Sequence, residues 1–145
     1  MAIHLLDVNV LVALMWPAHA AHSNVQAWFA KQAKQGWATC PFTQVALVRI
    51  LSNPSFSSDA VTPQQALTAL STNLKHPNHK FWPDDISVTD AVEPVRKGLV
   101  GHNQITDAYL LGLAIRHKGK LATMDRGVMT LLPQDRRHNG IVVVI

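Results

Sequence analysis

The chain has 145 residues, 48% of them hydrophobic, and a formal net charge of +4 from 13 Lys and Arg against 9 Asp and Glu. That is enough for one compact domain, residues 1–145, with its own core. No apolar run approaches the roughly 20 residues that span a bilayer, so no membrane partner is expected. The lone Cys40 excludes an internal disulfide and suits a reducing cytoplasm, and the basic balance favours polyanions such as nucleic acid, so that any acidic cluster must be a local feature.

The N-terminal stretch HLLDVNVLVALMWPAHA imitates a signal peptide, but no Lys or Arg precedes its apolar run and Asp7 interrupts it. It reads instead as a short buried strand, IHLL, passing directly into a helix at Asp7. A second helix is expected over 20–35, with Val25, Trp28 and Phe29 on one face and Gly36 as its stop. WATCP follows as a strand, and FTQVALVRIL as a helix that Asn53 and Pro54 end. Thr62 and Pro63 read as the cap and first position of a helix through QQALTALSTNL, whose Ala66, Leu67, Leu70 and Leu74 form an apolar stripe.

Residues 76–85 read as a loop and ISV, 86–88, as a brief strand. Pro94 breaks any single helix over 89–100 into a turn and a shorter helix. Thr106 is placed to cap a helix over 107–117, and KLATM and GIVVVI supply the last two strands. Short apolar strands alternating with helices imply an α/β fold, a central parallel sheet of about five strands with helices on both faces.

In such a sheet chemistry collects beyond the carboxyl ends of the strands. Asp7 ends the first strand, Asp125 follows the fourth, and Asp107 opens a helix, so all three can meet on one rim. Each has an ordinary use as well: Asp107 complements a helix dipole and Asp125 precedes a turn at Gly127. Asp7, set among Leu5, Leu6, Val8 and Val10, is harder to place as mere decoration, because an unpaired charge there is costly. Three carboxylates in one pocket repel unless a cation neutralises them, and hard oxygen ligands suit Mg²⁺ or Mn²⁺. An acidic metal site in a basic chain describes a phosphodiesterase acting on nucleic acid.

The segments LLDVNVLVAL, CPFTQVALVRILSNP, FWPDD and GHNQITDAYLLGLAIRHKGKLATMDRG, in this order, resemble the PIN domain, and within it the VapC-type ribonuclease toxins of bacterial toxin–antitoxin pairs. The resemblance runs over nearly the whole chain. It implies a five-stranded parallel sheet, Mg²⁺-dependent endoribonuclease activity leaving a 5′-phosphate and a 3′-hydroxyl, a homodimer, and neutralisation by a VapB-like antitoxin. Asp7, Asp107 and Asp125 match the family's acidic metal-binding positions. The sequence departs from the pattern at Gln44, where PIN domains usually carry Glu; this takes one charge from the site, although a glutamine carbonyl still accepts a hydrogen bond from metal-bound water. Asn9 and Thr43, close to the matched positions, are candidates to orient water or carboxylates, or else to cap the two helices that begin there.

Other chemistries fit less of the chain. His19 with His22, and His76 with His79, are spaced for a zinc site, but Pro77 breaks the second pair and neither has a Cys or acidic partner beside it. A haloacid-dehalogenase-type phosphatase needs a second Asp two residues after the first, where Asn9 stands. A catalytically silent RNA- or antitoxin-binding PIN fold remains the alternative to the enzyme, with Gln44 as its motive.

Overall fold

In a computed structural model, which describes residues 2–145, five strands form one parallel sheet in the order β3-β2-β1-β4-β5. They are β1 (His4–Leu6), β2 (Trp37–Thr39), β3 (His79–Phe81), β4 (Lys120–Thr123) and β5 (Val142–Val144). Successive strands first step to one side of β1, and then the chain crosses to place β4 on the other side. The reversal leaves a crevice at the carboxyl ends of β1 and β4, where ligands bind in open α/β sheets.

Alternation along the strands separates two apolar layers. Leu5, Ala38, Leu121 and Val142 face one side, with α5 (Val88–Val92) and α6 (Ile105–Arg116). Leu6, Trp37 and Ala122 face the other, with α1 (Val8–Met15), α2 (His22–Gln32), α3 (Pro41–Leu51) and α4 (Pro63–Leu74). Every residue from Ala108 to Ala114 is buried, which explains why α6 carries a continuous apolar run in place of a stripe.

The α4 cap is reciprocal, as the sequence suggests: Gln65 N–H donates to Thr62 Oγ1 (3.1 Å) and Thr62 N–H to Gln65 Oε1 (2.9 Å). Gly36, with φ 104°, stops the second helical stretch, which is α2 followed by a 3-10 turn at Ala33–Gln35.

Four expectations are corrected. The third strand is His79–Phe81, inside the stretch read as a loop, in register with Trp37–Thr39. As an edge strand it exposes Lys80 and Phe81, so apolar alternation never marked it. Ile86–Val88 is no strand: Ser87 Oγ accepts from Asp90 N–H (3.1 Å) and caps α5, which precedes a 3-10 segment at Glu93–Gly98, so helix and turn come in the opposite order to that expected around Pro94. Thr106 lies inside α6, not at its cap; the preceding loop is closed by Gln104 Oε1, which accepts from Val100 N–H (2.7 Å) and Gly101 N–H (3.0 Å).

Gly112 lets α6 pack directly on α5, since a Cβ there would fall 1.8 Å from the Ala91 carbonyl oxygen. Gly112→Ala is expected to destabilise the fold by about 3 kcal/mol, the upper end for overpacking a core. Urea unfolding reads this directly, and an unchanged midpoint would show that the two helices slide apart at no cost.

Candidate functional site

Asp7 follows β1 and is the N-cap of α1, with only 6% of its surface exposed. Its Oδ1 accepts from Val8 N–H (2.7 Å) and its Oδ2 from the Thr123 hydroxyl (2.8 Å). Thr123 is fully buried at the end of β4, and its Oγ1 also accepts from Asp125 N–H (3.1 Å) and from Asn9 Nδ2 (3.3 Å). Asn9 Oδ1 takes Met124 N–H (3.2 Å) in turn. One threonine hydroxyl thus ties the β1–α1 junction to the loop after β4. Asn9 belongs to this linkage and does not cap α1, a place Asp7 holds. Sequence reasoning missed Thr123, because a Thr in a strand is unremarkable by propensity; the available signal was its place two residues before Asp125.

Asp125 is exposed and its Oδ1 accepts Gly127 N–H (2.8 Å), so the ordinary turn role and the rim position hold together. Asp107 stands in the first turn of α6, half-buried, and lines with Asp125 and Asn103 a cavity of about 350 Å³. Burial first, then the charges of Asp7 and Asp125, push the Asp107 carboxyl up to about 6. Burial also raises Asp7, with the Asp125 charge adding to it and the Thr123 and Val8 hydrogen bonds opposing. The three carboxylates therefore sense one another across the crevice between β1 and β4.

Among the described residues, no three Asp, Glu, His or Cys side chains form a ready cage around one ion. The donor set nevertheless suits a hard divalent cation that keeps part of its water shell, as Mg²⁺ does: carboxylate oxygens of raised proton affinity, one pair of them opening on a cavity.

The remaining candidates, Thr43 and Gln44, bond to partners other than the three carboxylates. Thr43 Oγ1 accepts from Cys40 N–H (3.1 Å) and donates to Cys40 O (3.0 Å), which is a capping role at the start of α3. Gln44 Nε2 donates to Thr39 Oγ1 (2.9 Å), which is 2.7 Å from His79 Nε2, so the amide is anchored at the carboxyl end of β2, next to β1. Asp84, within FWPDD, joins α3 to α6: it accepts from Phe42 N–H (3.2 Å) and from the Tyr109 hydroxyl (2.6 Å). The histidine pairs serve local structure. His19 Nδ1 accepts from Ala21 N–H, His22 Nδ1 bonds Ala13 O, and His76 Nδ1 accepts from Trp37 Nε1–H.

Against this geometry, the profile of the PIN domain matches residues 4–130. The chain belongs to the PIN domain family. It is 41% identical to ribonuclease VapC39 of Mycobacterium tuberculosis (strain H37Rv) over 97% of this chain and 98% of that one. Ribonuclease VapC38 of the same strain is 42% identical over 90% of each. Among solved structures, VapBC2 from Rickettsia felis bound to a promoter DNA fragment superposes with a TM-score of 0.62 at 19% identity, covering 97% of this chain and 96% of that one. FitAcB from Neisseria gonorrhoeae gives the same TM-score and identity. These two show that the PIN fold described above is shared well beyond recognisable sequence.

Burial of the Asp107 carboxyl beside two other carboxylates has a stability cost in this PIN domain. The native form binds the Asp107 proton more tightly than the unfolded chain does, so this group lowers stability progressively as pH rises from its ordinary value of 3.8 to about 6. Asp107→Asn is expected to stabilise the metal-free protein above pH 6 by about 1 kcal/mol after solvent screening, roughly 2–4 °C in Tm. The gain should vanish below pH 4. Thermal melts in EDTA across that range check it, and a pH-independent difference would exclude ionisation of Asp107 as its cause.

Proposed function

We propose that this protein is an endoribonuclease toxin of the VapC kind, which hydrolyses RNA phosphodiester bonds with Mg²⁺ or Mn²⁺ and is neutralised by a VapB-like antitoxin. The observation that carries the reading is the meeting of Asp7, Asp107 and Asp125 at the β1–β4 crevice, in a chain 41% identical to a VapC ribonuclease over 97% of its length. The net charge of +4 around that acidic pocket supports an RNA substrate.

In this reading Asp7, Asp107 and Asp125 hold the ion, directly or through water. An ion held there would supply Lewis acidity, lowering the pKa of a nearby water and offsetting charge on the scissile phosphate. Asp7 is held in one orientation by Val8 N–H and the Thr123 hydroxyl, so it needs little reorganisation to bind a cation. Asn9 keeps the two loops at a set separation. No side-chain nucleophile is required, and attack by water would leave a 5′-phosphate and a 3′-hydroxyl.

A second reading, a PIN fold that binds RNA or antitoxin without cutting, is favoured by Gln44, whose neutral amide is engaged by Thr39 where the family usually carries Glu. Turnover separates the two. Purified protein is expected to cleave RNA with Mg²⁺ and to stop in EDTA. Asp7→Asn and Asp107→Asn should each lower the rate by about 100-fold or more, the scale for losing one preorganised electrostatic group. A folded wild type inert with both Mg²⁺ and Mn²⁺ would establish the silent binder.

The partner side of the proposal rests on surface chemistry. Phe42 and Val45 on α3 are 43% and 60% exposed and offer apolar area for a homodimer. The acidic pocket suits an antitoxin arginine, which pairs carboxylates bidentately. Light scattering should read two chains of 15.9 kDa, and a larger complex after co-expression with the product of the adjacent gene. A monomer that gains no mass on co-expression would remove both partners.

A further inference from the structure

The cavity beside Asp107 and Asp125 does not end at those residues. Val100, Thr130 and Leu131 line it and also line a larger cavity of about 1020 Å³, so the two adjoin as successive parts of a surface trough. The larger part runs between the 3-10 segment Glu93–Gly98 and residues 130–137. Its walls are packed backbone to backbone: a Cβ on Gly98 would fall 2.6 Å from the Leu131 carbonyl oxygen, so only glycine permits this approach.

The charges in this trough are opposite to those at its end. Arg96, Lys97 and Arg137 line it, with Glu93 the one acidic residue among the lining side chains. Glu93 does not cancel Arg96, since their contact is 3.6 Å long between side chains 66% and 73% exposed, a pairing of little strength in water. Arg137 is held in place by its Nε–H donating to Leu132 O (3.2 Å). At the neck between the two cavities stands Val100, 93% exposed, an apolar side chain presented to solvent.

We propose that this trough is the track for the RNA strand on one side of the scissile bond, with Arg96, Lys97 and Arg137 on successive phosphates and Val100 against a sugar or base. The inference rests on the ribonuclease reading and adds to it the direction in which the substrate leaves the carboxylates. The occupant is single-stranded, because a cavity of this size holds a few nucleotides and a duplex presents its phosphates on a broader front. Cations along a strand next to an acidic cutting site also resolve an electrostatic difficulty: RNA approaching three carboxylates needs attraction from elsewhere, and here it lies in the adjoining cavity.

The test measures binding in an Asp107→Asn background with Mg²⁺ present, so that the strand is not consumed. Fluorescence anisotropy of a labelled single-stranded oligoribonucleotide is followed against salt concentration. Arg96→Ala with Lys97→Ala should weaken binding at least several-fold at low salt and make the log–log salt slope shallower by about 1.4, at roughly 0.7 per phosphate contact. Lys31→Ala with Lys34→Ala removes the same charge in and just after α2, on the opposite layer of the sheet, and should leave the slope unchanged. Both pairs are exposed, and equal melting temperatures confirm that each variant is folded.

An unchanged slope in the Arg96/Lys97 variant, or an equal fall in both variants, overturns the track. The same holds if that variant keeps RNA affinity but loses its antitoxin, which would make the trough a protein-binding surface. If the wild type cuts no RNA and the background variant binds none, the ribonuclease reading itself fails and takes the track with it. Cleavage by the wild type with an unaltered slope in the variant overturns the track alone.

Discussion

The Thr123 hydroxyl is the point on which the site depends. It is completely buried, it donates to Asp7, and it accepts from Asn9 and from the backbone of Asp125, so it joins two segments 116 residues apart in the chain. The parallel pairing of β1 with β4 brings the two segments side by side, and the hydroxyl sets how they meet. A hydrogen bond to a charged group stabilises by about 1.5–3 kcal/mol, and at Asp7 it opposes burial and outweighs the Asp125 charge. The arrangement keeps a buried Asp7 charge tolerable in a fold that otherwise excludes charge from its core.

Opposed electrostatic demands then divide the molecule. The rim between β1 and β4 gathers three carboxylates, and burial, followed by their mutual charge, raises the proton affinity of Asp107 and Asp7. The remainder of the surface is basic, and three of its cations line the trough that opens from the rim. In the proposed reading, a polyanionic strand is attracted by the second region and held at the first. This division requires no large motion, since the walls of the trough are fixed by close packing at Gly98 and α6 is locked against α5 at Gly112.

Gln44 shows how a departure from a family pattern is absorbed locally. Its amide donates to Thr39, and the Thr39 hydroxyl meets His79, a ring whose pKa is lowered chiefly by burial. A glutamate at this position would instead accept from the Thr39 hydroxyl and add a charge there. The neutral side chain thus belongs to a small polar network at the end of β2, next to the strand that Asp7 follows.

What the sequence determined by itself is local and periodic: the alternation of short apolar strands with helices, the α4 cap at Thr62 and Pro63, the stop at Gly36, and the placement of Asp7, Asp107 and Asp125 at the ends of elements. These follow from φ/ψ preferences and hydrophobic period, which act over a few residues. Tertiary structure alone decided the rest. The edge strand His79–Phe81 is specified by pairing with β2, because half of its surface faces water and no apolar pattern is required of it. Thr123 became a link only when β4 was laid beside β1. The adjacency of the carboxylate pocket and the basic trough arises from the packing of residues 93–98 on 126–131, segments too irregular to carry a period. Contacts between distant segments depend on which strands neighbour each other, and that order is set by the packing of the whole chain, not by any window of it.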